Sequence, residues 1–417
     1  EAQYGSPETK DRYQRILAQI SVARTLLETK YAKKPGYFED SEQEKKYLSS
    51  DAKSDSIKNA KKTLATYSSL LTPELKKSAI KELELIYASN AAELSPLFGI
   101  YNPTVVSDYT QFTPRSHYTK NSRLRAYFRA MMYLGRSSYF FITDDGIKDT
   151  NLLTSQFSLA SAKGVTPLDS WKKIMTITGY YAGSSDDTTY AEWNDFLMKT
   201  LPAQERSPKR LAENDVVQKL TSKISSLRLP KILSNIIVSP EIGNKTKEDL
   251  LRESLAFHIF GQRFTYDAWI LNELSAGEEK SEVKLPSTPS ALYVPAVLGD
   301  ARARQHVKEL LIKEWGLTEK DLPAFFEKLD ARARDMKNVK KEEWLSSLGT
   351  AWLSILSTLT NTFGDGYPRY MQRDSFSDKQ IQTFLGSYTE LKHDTLLYAK
   401  QSYAERGAGG PEGELPP

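Results

Sequence analysis

Cysteine is absent from all 417 residues of the chain. Its absence excludes disulfide bonds, thiolate catalysis, and zinc or iron–sulfur sites held by cysteine sulfur. A chain without thiols suits an oxidising compartment, where a stray thiol is a liability, although many cytosolic proteins also manage without cysteine. The composition therefore permits an extracytoplasmic location and does not require one.

Long apolar segments are missing as well. The best candidate, residues 344–359, is interrupted by serine and threonine and falls short of the roughly 18 to 20 apolar residues that a membrane span needs. We therefore expect no transmembrane segment, which leaves peripheral membrane association through a removed or absent anchor. The chain opens with EAQYGSPETK, without methionine or an apolar signal region, so we expect a processed or excised product.

Neither sign of charge is in large excess: 57 lysines and arginines stand against 53 aspartates and glutamates, a net charge of +4. The positive charges form no basic run of the kind that nucleic-acid-binding arms carry, so we expect no nucleic-acid partner. HExxH, GxSxG, Walker A and Rossmann glycine motifs are also absent. The sequence therefore gives no signal for a nucleotide, flavin or iron–sulfur cofactor, and a divalent metal is the cofactor left open.

Helical signals dominate what is present. Thr72 followed by Pro73, for example, is typical of a helix start, and apolar residues at three- and four-residue spacing follow it. Only residues 139–143 and 232–238 are β-branched or aromatic enough to suggest short strands. We predict a mainly α fold, a large multi-helix body with few short strands.

Three regions are expected along the chain. Residues 1–95 form an N-terminal helical region, and residues 96–405 form the main helical domain. Residues 406–417, RGAGGPEGELPP, are too rich in glycine, proline and glutamate to pack, and they predict a flexible tail.

The helix expected after the segment YTQFTPRSHYT carries a stripe of arginines. At about 100° per residue, Arg125, Arg129 and Arg136 fall on one face. Three guanidinium groups on one side suit bidentate binding of a carboxylate, sulfate or phosphate, and Arg115 and His117 would add donors from the loop. The alternative is a solvated charged face with acidic neighbours.

A long C-terminal helix is expected from Ser377 to about Tyr403. One side of its helical wheel is apolar, and the other combines one aliphatic residue with three ionisable ones: Leu397, Glu390, His393 and Asp394. An aliphatic residue on the polar side suggests burial of both faces. Buried carboxylates and imidazoles must be paired, so we expect a polar network or a site there.

Glu390 and His393 have the i, i+3 spacing of helical metal ligands, and the pair also suits general acid–base chemistry. Two ligands do not complete a metal site. His117 and His258 are candidates for a third, although His258 lies among apolar neighbours typical of a core. A purely structural polar network is the alternative.

Five long blocks resemble the bacterial family named Domain of Unknown Function 3160. In order along the chain they are DYTQFTPRSHYT (108–119), YFRAMMYLGR (127–136), FGQRFTYDAWI (260–270), ALYVPAVLGDARA (291–303) and TELKHDTLLYAKQSY (389–403). The resemblance covers about residues 95–406. The GDGYPRYMQRDSF segment before the last helix departs from the family pattern.

The resemblance implies an exported protein, periplasmic or extracellular, similar to members that are often lipoproteins. It also implies a longer protein, with an upstream helical segment and more sequence after the glycine-rich tail; these parts, or a separate protein partner, would then complete the assembly. The family motif falls on residues that we take as candidate ligand-binding residues: Arg115, His117, Tyr118, Arg129, Arg136, Glu390, His393 and Asp394.

We expect a binding or assembly component of the bacterial envelope, with a polar pocket between the loop of Arg115–Tyr118 and the helix of Glu390–Asp394. One alternative is a metal-dependent hydrolase with Glu390 and His393 among its ligands. A second alternative is a purely structural subunit of a larger surface complex, which would expose an apolar patch for docking.

Overall fold

The structure, a computed structural model, describes residues 6–28, 56–237, 244–276 and 283–402. The predicted tail at residues 406–417 lies outside the described residues. The helices, strands and cores of the fold are those of these ranges.

Helices hold most of the described chain, as predicted. Their bounds are α1 (Pro7–Leu27), α2 (Ile57–Tyr67), α3 (Pro73–Ala88), α4 (Ser122–Arg136), α5 (Asp144–Leu159), α6 (Pro167–Ala182), α7 (Tyr190–Thr200), α8 (Pro208–Leu211), α9 (Asn214–Thr221), α10 (Lys247–Glu253), α11 (Tyr266–Glu273), α12 (Tyr293–Val297), α13 (Ala301–Lys313), α14 (Leu322–Asn338), α15 (Lys341–Trp344), α16 (Leu348–Leu356) and α17 (Asp374–Thr395). Short 3₁₀ turns connect several of them. No helix within these ranges is both long and apolar enough to cross a membrane.

Five very short strands supplement the helices: β1 (Ala92–Glu93), β2 (Val105–Asp108), β3 (Tyr139–Phe140), β4 (Ile236–Ile237) and β5 (Ala256–Phe257). They pair antiparallel in the order β1-β2-β4 and as the pair β3-β5. The two predicted strand segments each contain a real strand, shorter than its segment. The mainly α prediction is confirmed.

Side-chain caps fix where several helices start. Thr72 accepts from the Leu75 amide at 3.3 Å, with Pro73 at the first helical position, as the sequence predicted. Thr246 and Asp249 form a reciprocal capping box at the start of α10. Each cap satisfies amides that the first helical turn leaves without partners.

Apolar side chains gather in two main cores. The first extends along the chain from Ile16 to Ile259 and takes in Leu396 and Leu397 near the C-terminal end of the described chain. The second lies between Ile270 and Leu391. The boundary expected between residues 95 and 96 stays a prediction.

The C-terminal helix differs from its prediction at both ends. α17 begins at Asp374, three residues before Ser377, and ends at Thr395 well short of Tyr403. After the helix, the Arg263 amide donates to the Tyr398 carbonyl at 2.7 Å, and the Lys400 amide donates to the Arg263 carbonyl at 2.8 Å. This extended pairing replaces helical hydrogen bonds, which is why the helix ends early.

The early helix end also corrects the expected burial of both faces. Leu397 is buried, but it lies beyond the helix and does not belong to the same wheel. Phe384, Tyr388 and Leu391 are buried as the apolar face requires. The opposite side carries three exposed residues, Glu390, His393 and Asp394. The prediction that these three are buried is wrong.

Candidate functional site

The loop before α4 is held in shape by its own polar groups. The Thr110 amide donates to Asp108 Oδ1 at 3.1 Å, which opens the 3₁₀ turn Tyr109–Phe112. Arg115 then donates to the Gln111 carbonyl at 3.2 Å. Ser116, which follows, has a φ of 60°, in the left-handed region that non-glycine residues rarely occupy. These contacts fix the direction in which the Ser116 hydroxyl points.

That hydroxyl joins two histidines from distant parts of the chain. Ser116 Oγ lies 3.0 Å from Nδ1 of His117 and 3.1 Å from Nδ1 of His393, a residue 277 positions away. Both distances are within hydrogen-bond range. The structure therefore brings the predicted loop and the predicted helix together at one point. We call Ser116, His117, Glu390, His393 and Asp394 the loop–helix site.

Three ionisable groups of α17 cluster beside this point. One ligand atom from each of Glu390, His393 and Asp394 lies within 4.8 Å of the other two. The i, i+3 and i, i+4 spacings place these side chains on one face of the helix. Carboxylate oxygen and imidazole nitrogen are common ligands of divalent transition metals, so the set fits such an ion.

Aromatic rings form the floor of the loop–helix site. The His117 ring lies on the ring of buried Tyr118, with 4.1 Å between centroids. Below them the hydroxyls of Tyr127 and Tyr398 are 2.6 Å apart. Burial raises the pKa of Tyr118 to about 12, so its hydroxyl stays protonated near neutral pH. The hydrogen bond between Tyr127 and Tyr398 thus connects α4 to the segment after α17 through uncharged groups.

The predicted arginine stripe does not converge on one ligand. Arg125 donates to the Thr119 carbonyl at 3.0 Å and so ties the loop to α4. Arg129 is buried, with its guanidinium 4.7 Å from the centroid of the Tyr87 ring. The stripe is therefore neither a common anion clamp nor a uniformly solvated face.

The two remaining arginines also have different surroundings. The Arg115 guanidinium lies 5.4 Å from the centroid of the Phe128 ring and bonds within its own loop. Arg136 lines two cavities inside the protein. Burial lowers the pKa of Arg115, and the positive charge of Arg136 adds to this effect.

A second group of polar residues lies in the interior, and the sequence did not predict it. Lys400 Nζ donates to Asp187 Oδ1 at 2.6 Å and to Asp186 Oδ2 at 3.0 Å, and all three residues are buried. Burial acts to lower the pKa of Lys400, but the two carboxylates outweigh it and raise the pKa. Burial acts to raise the pKa of Asp187, but Lys400 outweighs it, so that pKa is lowered. Both directions, for Lys400 and for Asp187, favour the ionised forms.

His258 extends this group toward α4. Its Nε2 is 2.7 Å from Ser138 Oγ, and its Nδ1 is 3.7 Å from Asp187 Oδ2. Burial lowers the pKa of His258, which favours the neutral ring near neutral pH. The expected core position of His258 is thus confirmed, with polar partners that the apolar sequence around it did not indicate. We call Ser138, Asp186, Asp187, His258 and Lys400 the interior polar cluster.

Backbone geometry explains how the interior polar cluster can be so tight. Gly261 passes close to the turn before Asp187, and a Cβ there would lie 2.5 Å from Ser185 Oγ. The next residue, Gln262, accepts a hydrogen bond from the Asp186 amide at 2.9 Å through its carbonyl. A side chain at position 261 would therefore force the Ser185 hydroxyl to move from its place beside Asp187.

Comparison with known proteins places the chain in one family. No curated protein sequence and no solved structure matches it. The model of the family described as "Protein of unknown function (DUF3160)" matches residues 1–416. The chain therefore belongs to the DUF3160 family.

Proposed function

We propose that this protein is an extracytoplasmic binding protein of the bacterial envelope and that the loop–helix site is where its ligand binds. The observation that carries the proposal is the Ser116 hydroxyl, which contacts the imidazole of the neighbouring His117 and that of His393, 277 positions away. A contact between elements so far apart in the chain forms only when the whole protein folds. The hydroxyl belongs to Ser116, whose left-handed backbone conformation is of the kind that clusters at functional sites.

The donor types at this site favour a divalent transition-metal ion as the ligand. Glu390, His393 and Asp394 supply one imidazole and two carboxylates within 4.8 Å of one another. An imidazole has two ring nitrogens, so the contact of His393 Nδ1 with Ser116 leaves Nε2 for an ion. Such an outer contact orients a metal-binding ring. His117, held by the same hydroxyl, is the candidate for a further ligand.

A metal-dependent hydrolase is the second candidate function, because it would need the same ion. We place binding first since Glu390, His393 and Asp394 are all exposed on a helix face. Catalytic electrostatics gain most in sites from which water is excluded. An exposed cluster instead suits an ion that is captured, exchanged or shared with a partner.

Zinc titration of the purified chain by calorimetry tests this proposal. We expect about one zinc ion per chain, with affinity falling at least about ten-fold in His393→Ala and in His117→Ala. His306→Ala is the matched control, because His306 bonds Asp378 on another surface and its loss should leave zinc affinity unchanged. Equal zinc binding by all four proteins would place the ion elsewhere and overturn the proposal.

The envelope location rests on the missing cysteines and on the family resemblance of the sequence blocks. Fractionation of source cells, followed by detection with an antibody, tests it. We expect the protein outside the cytoplasmic membrane; recovery in the cytoplasmic fraction alone would contradict the location.

Exposed apolar side chains on α6 support the assembly role. α6 exposes Ile177, Tyr180 and Tyr181 with relative accessibilities of 60%, 63% and 53%. Exposed apolar groups in one place are typical of docking surfaces for proteins. Native mass spectrometry of material isolated from its source should show a complex, and recovery as a monomer only would count against assembly.

A further inference from the structure

Two small cavities adjoin inside the protein and share the side chains of Arg136, Ser138 and Asn235. One has a volume of about 30 Å³ and is also lined by Glu82. The other, about 20 Å³, lies against the interior polar cluster and Gln262. A buried water needs about 10 to 15 Å³, so the first cavity has room for about two or three water-sized groups and the second for one or two. Any ligand here must be small.

Arg136 is the unusual member of this lining. Among the residues that the structure describes, its guanidinium has no hydrogen-bond or ion-pair partner. Burial lowers the pKa of Arg136, with the charges of Asp108 and Asp187 acting in the opposite direction. Arg136 is half-buried and its guanidinium carries five donors, so an acceptor in the cavities would satisfy donors that no group in the described part of the chain engages.

The two carboxylates that act on Arg136 from a distance are already engaged. Asp108 accepts hydrogen bonds from Thr110 and Gln111. Asp187 accepts from Lys400 at 2.6 Å. Both carboxylates therefore offset part of the positive charge of Arg136 without accepting hydrogen bonds from it. The guanidinium of Arg136 lines the cavities, where its donors are open to a ligand.

Neutral amide groups lie on the same walls. The side chain of Gln262 is only 7% exposed, and no partner for its carboxamide is found in the described part of the chain. Asn235 lines both cavities and likewise has no side-chain hydrogen bond within the described ranges. Arg136 from α4, Asn235 just before β4 and Gln262 from the loop after β5 thus present their donors to one small space.

We propose that this space is a binding site for a small monocarboxylate of about the size of formate or acetate. A planar carboxylate matches the fork of the Arg136 guanidinium with two parallel hydrogen bonds. The carboxamides of Gln262 and Asn235 donate to its remaining lone pairs. Asp187 in the wall excludes a dianion such as phosphate, because like charges in a water-poor site repel strongly. The site is separate from the loop–helix site and needs no metal.

Calorimetric titration of the chain with formate, acetate and inorganic phosphate, all with a chelator present, tests the proposal. We expect formate or acetate to bind and phosphate not to bind. Arg136→Met should weaken carboxylate binding by at least about ten-fold. Arg125→Met is the matched control from the same helix, because Arg125 bonds the Thr119 carbonyl at the loop instead of lining these cavities.

Gln262→Leu provides a second variant that changes no charge, should Arg136→Met fold poorly. Loss of one carboxamide donor should weaken formate or acetate binding several-fold while the circular dichroism spectrum stays that of the parent. The proposal is overturned if the parent binds neither carboxylate, if it binds phosphate equally well, or if Gln262→Leu and Arg125→Met have the same affinity for carboxylate.

Discussion

His117 and His393 lie on either side of one hydroxyl, with Nδ1 of the first 3.0 Å and Nδ1 of the second 3.1 Å from Ser116 Oγ. The contact joins the loop before α4 to the exposed face of α17. Two sequence blocks that are far apart in the chain therefore form one site.

Ser116→Gly should separate the role of the hydroxyl from that of the backbone. Glycine adopts the φ of 60° without strain, so the free energy of unfolding should not fall. Loss of the hydroxyl frees both imidazoles, and zinc affinity should drop by about ten-fold, as for other groups that orient metal ligands. Calorimetry and urea denaturation measure the two quantities. Ser222→Ala, at an exposed helix end, is the control, and an unchanged zinc affinity in Ser116→Gly would show that the bridge has no role.

Lys400→Met should destabilise the fold strongly. The substitution leaves Asp186 and Asp187 buried without their shared cation, and breaking such a buried ion pair costs about 3 to 5 kcal/mol. Urea denaturation should show this loss at neutral pH. Lys199→Met removes an exposed ion pair with Asp195 and should change the free energy of unfolding by less than about 1 kcal/mol. Similar values for the two variants would contradict the account of the interior polar cluster.

The buried carboxyl of Glu82 should make stability depend on pH. Burial raises its pKa from an ordinary value of 4.5 to about 7, although Ser95 and Tyr109 donate hydrogen bonds to it. Because the folded form holds the proton more tightly, this contribution is complete below pH 4.5 and is lost as the pH rises through 7. The free energy of unfolding should therefore fall by up to about 3 kcal/mol from this group between these values.

Glu82→Gln supplies the control for that pH dependence. The amide resembles the protonated carboxyl and cannot ionise, so the decline in stability between about pH 5 and 8 should become shallower. Urea denaturation at a series of pH values compares the slopes. Parallel curves for the parent and Glu82→Gln would show that Glu82 does not titrate in this range.

The sequence predicted those features that depend on local chemistry. Thr72 with Pro73 acts through residues within one turn of helix and is present as a cap in the structure. The apolar side of its helical wheel likewise predicted the buried face of α17. Caps and helical periodicity depend on residues that are close together in the chain, so a single sequence is enough to predict them.

Features that depend on tertiary contacts could not be predicted from the sequence. Helical periodicity continues past Thr395, but pairing with Arg263 ends α17 there, so the predicted burial of the polar face was wrong. Asp186 and Asp187 sit in a loop without periodicity, and nothing local marks them as partners of Lys400. The sequence could suggest that the loop of His117 and the helix of His393 meet but could not show it, because spacing alone cannot give a distance across 275 intervening positions.

Anomalous X-ray scattering would locate a metal ion at the loop–helix site, where we claim that one binds. Crystals grown with zinc should show one strong anomalous peak at the zinc edge, within about 2.0 to 2.2 Å of His393 nitrogen and of an oxygen from Glu390 or Asp394. Crystals of His393→Ala grown in the same way should lack that peak. A zinc-soaked parent crystal without an anomalous peak beside Glu390, His393 and Asp394 would contradict the claim.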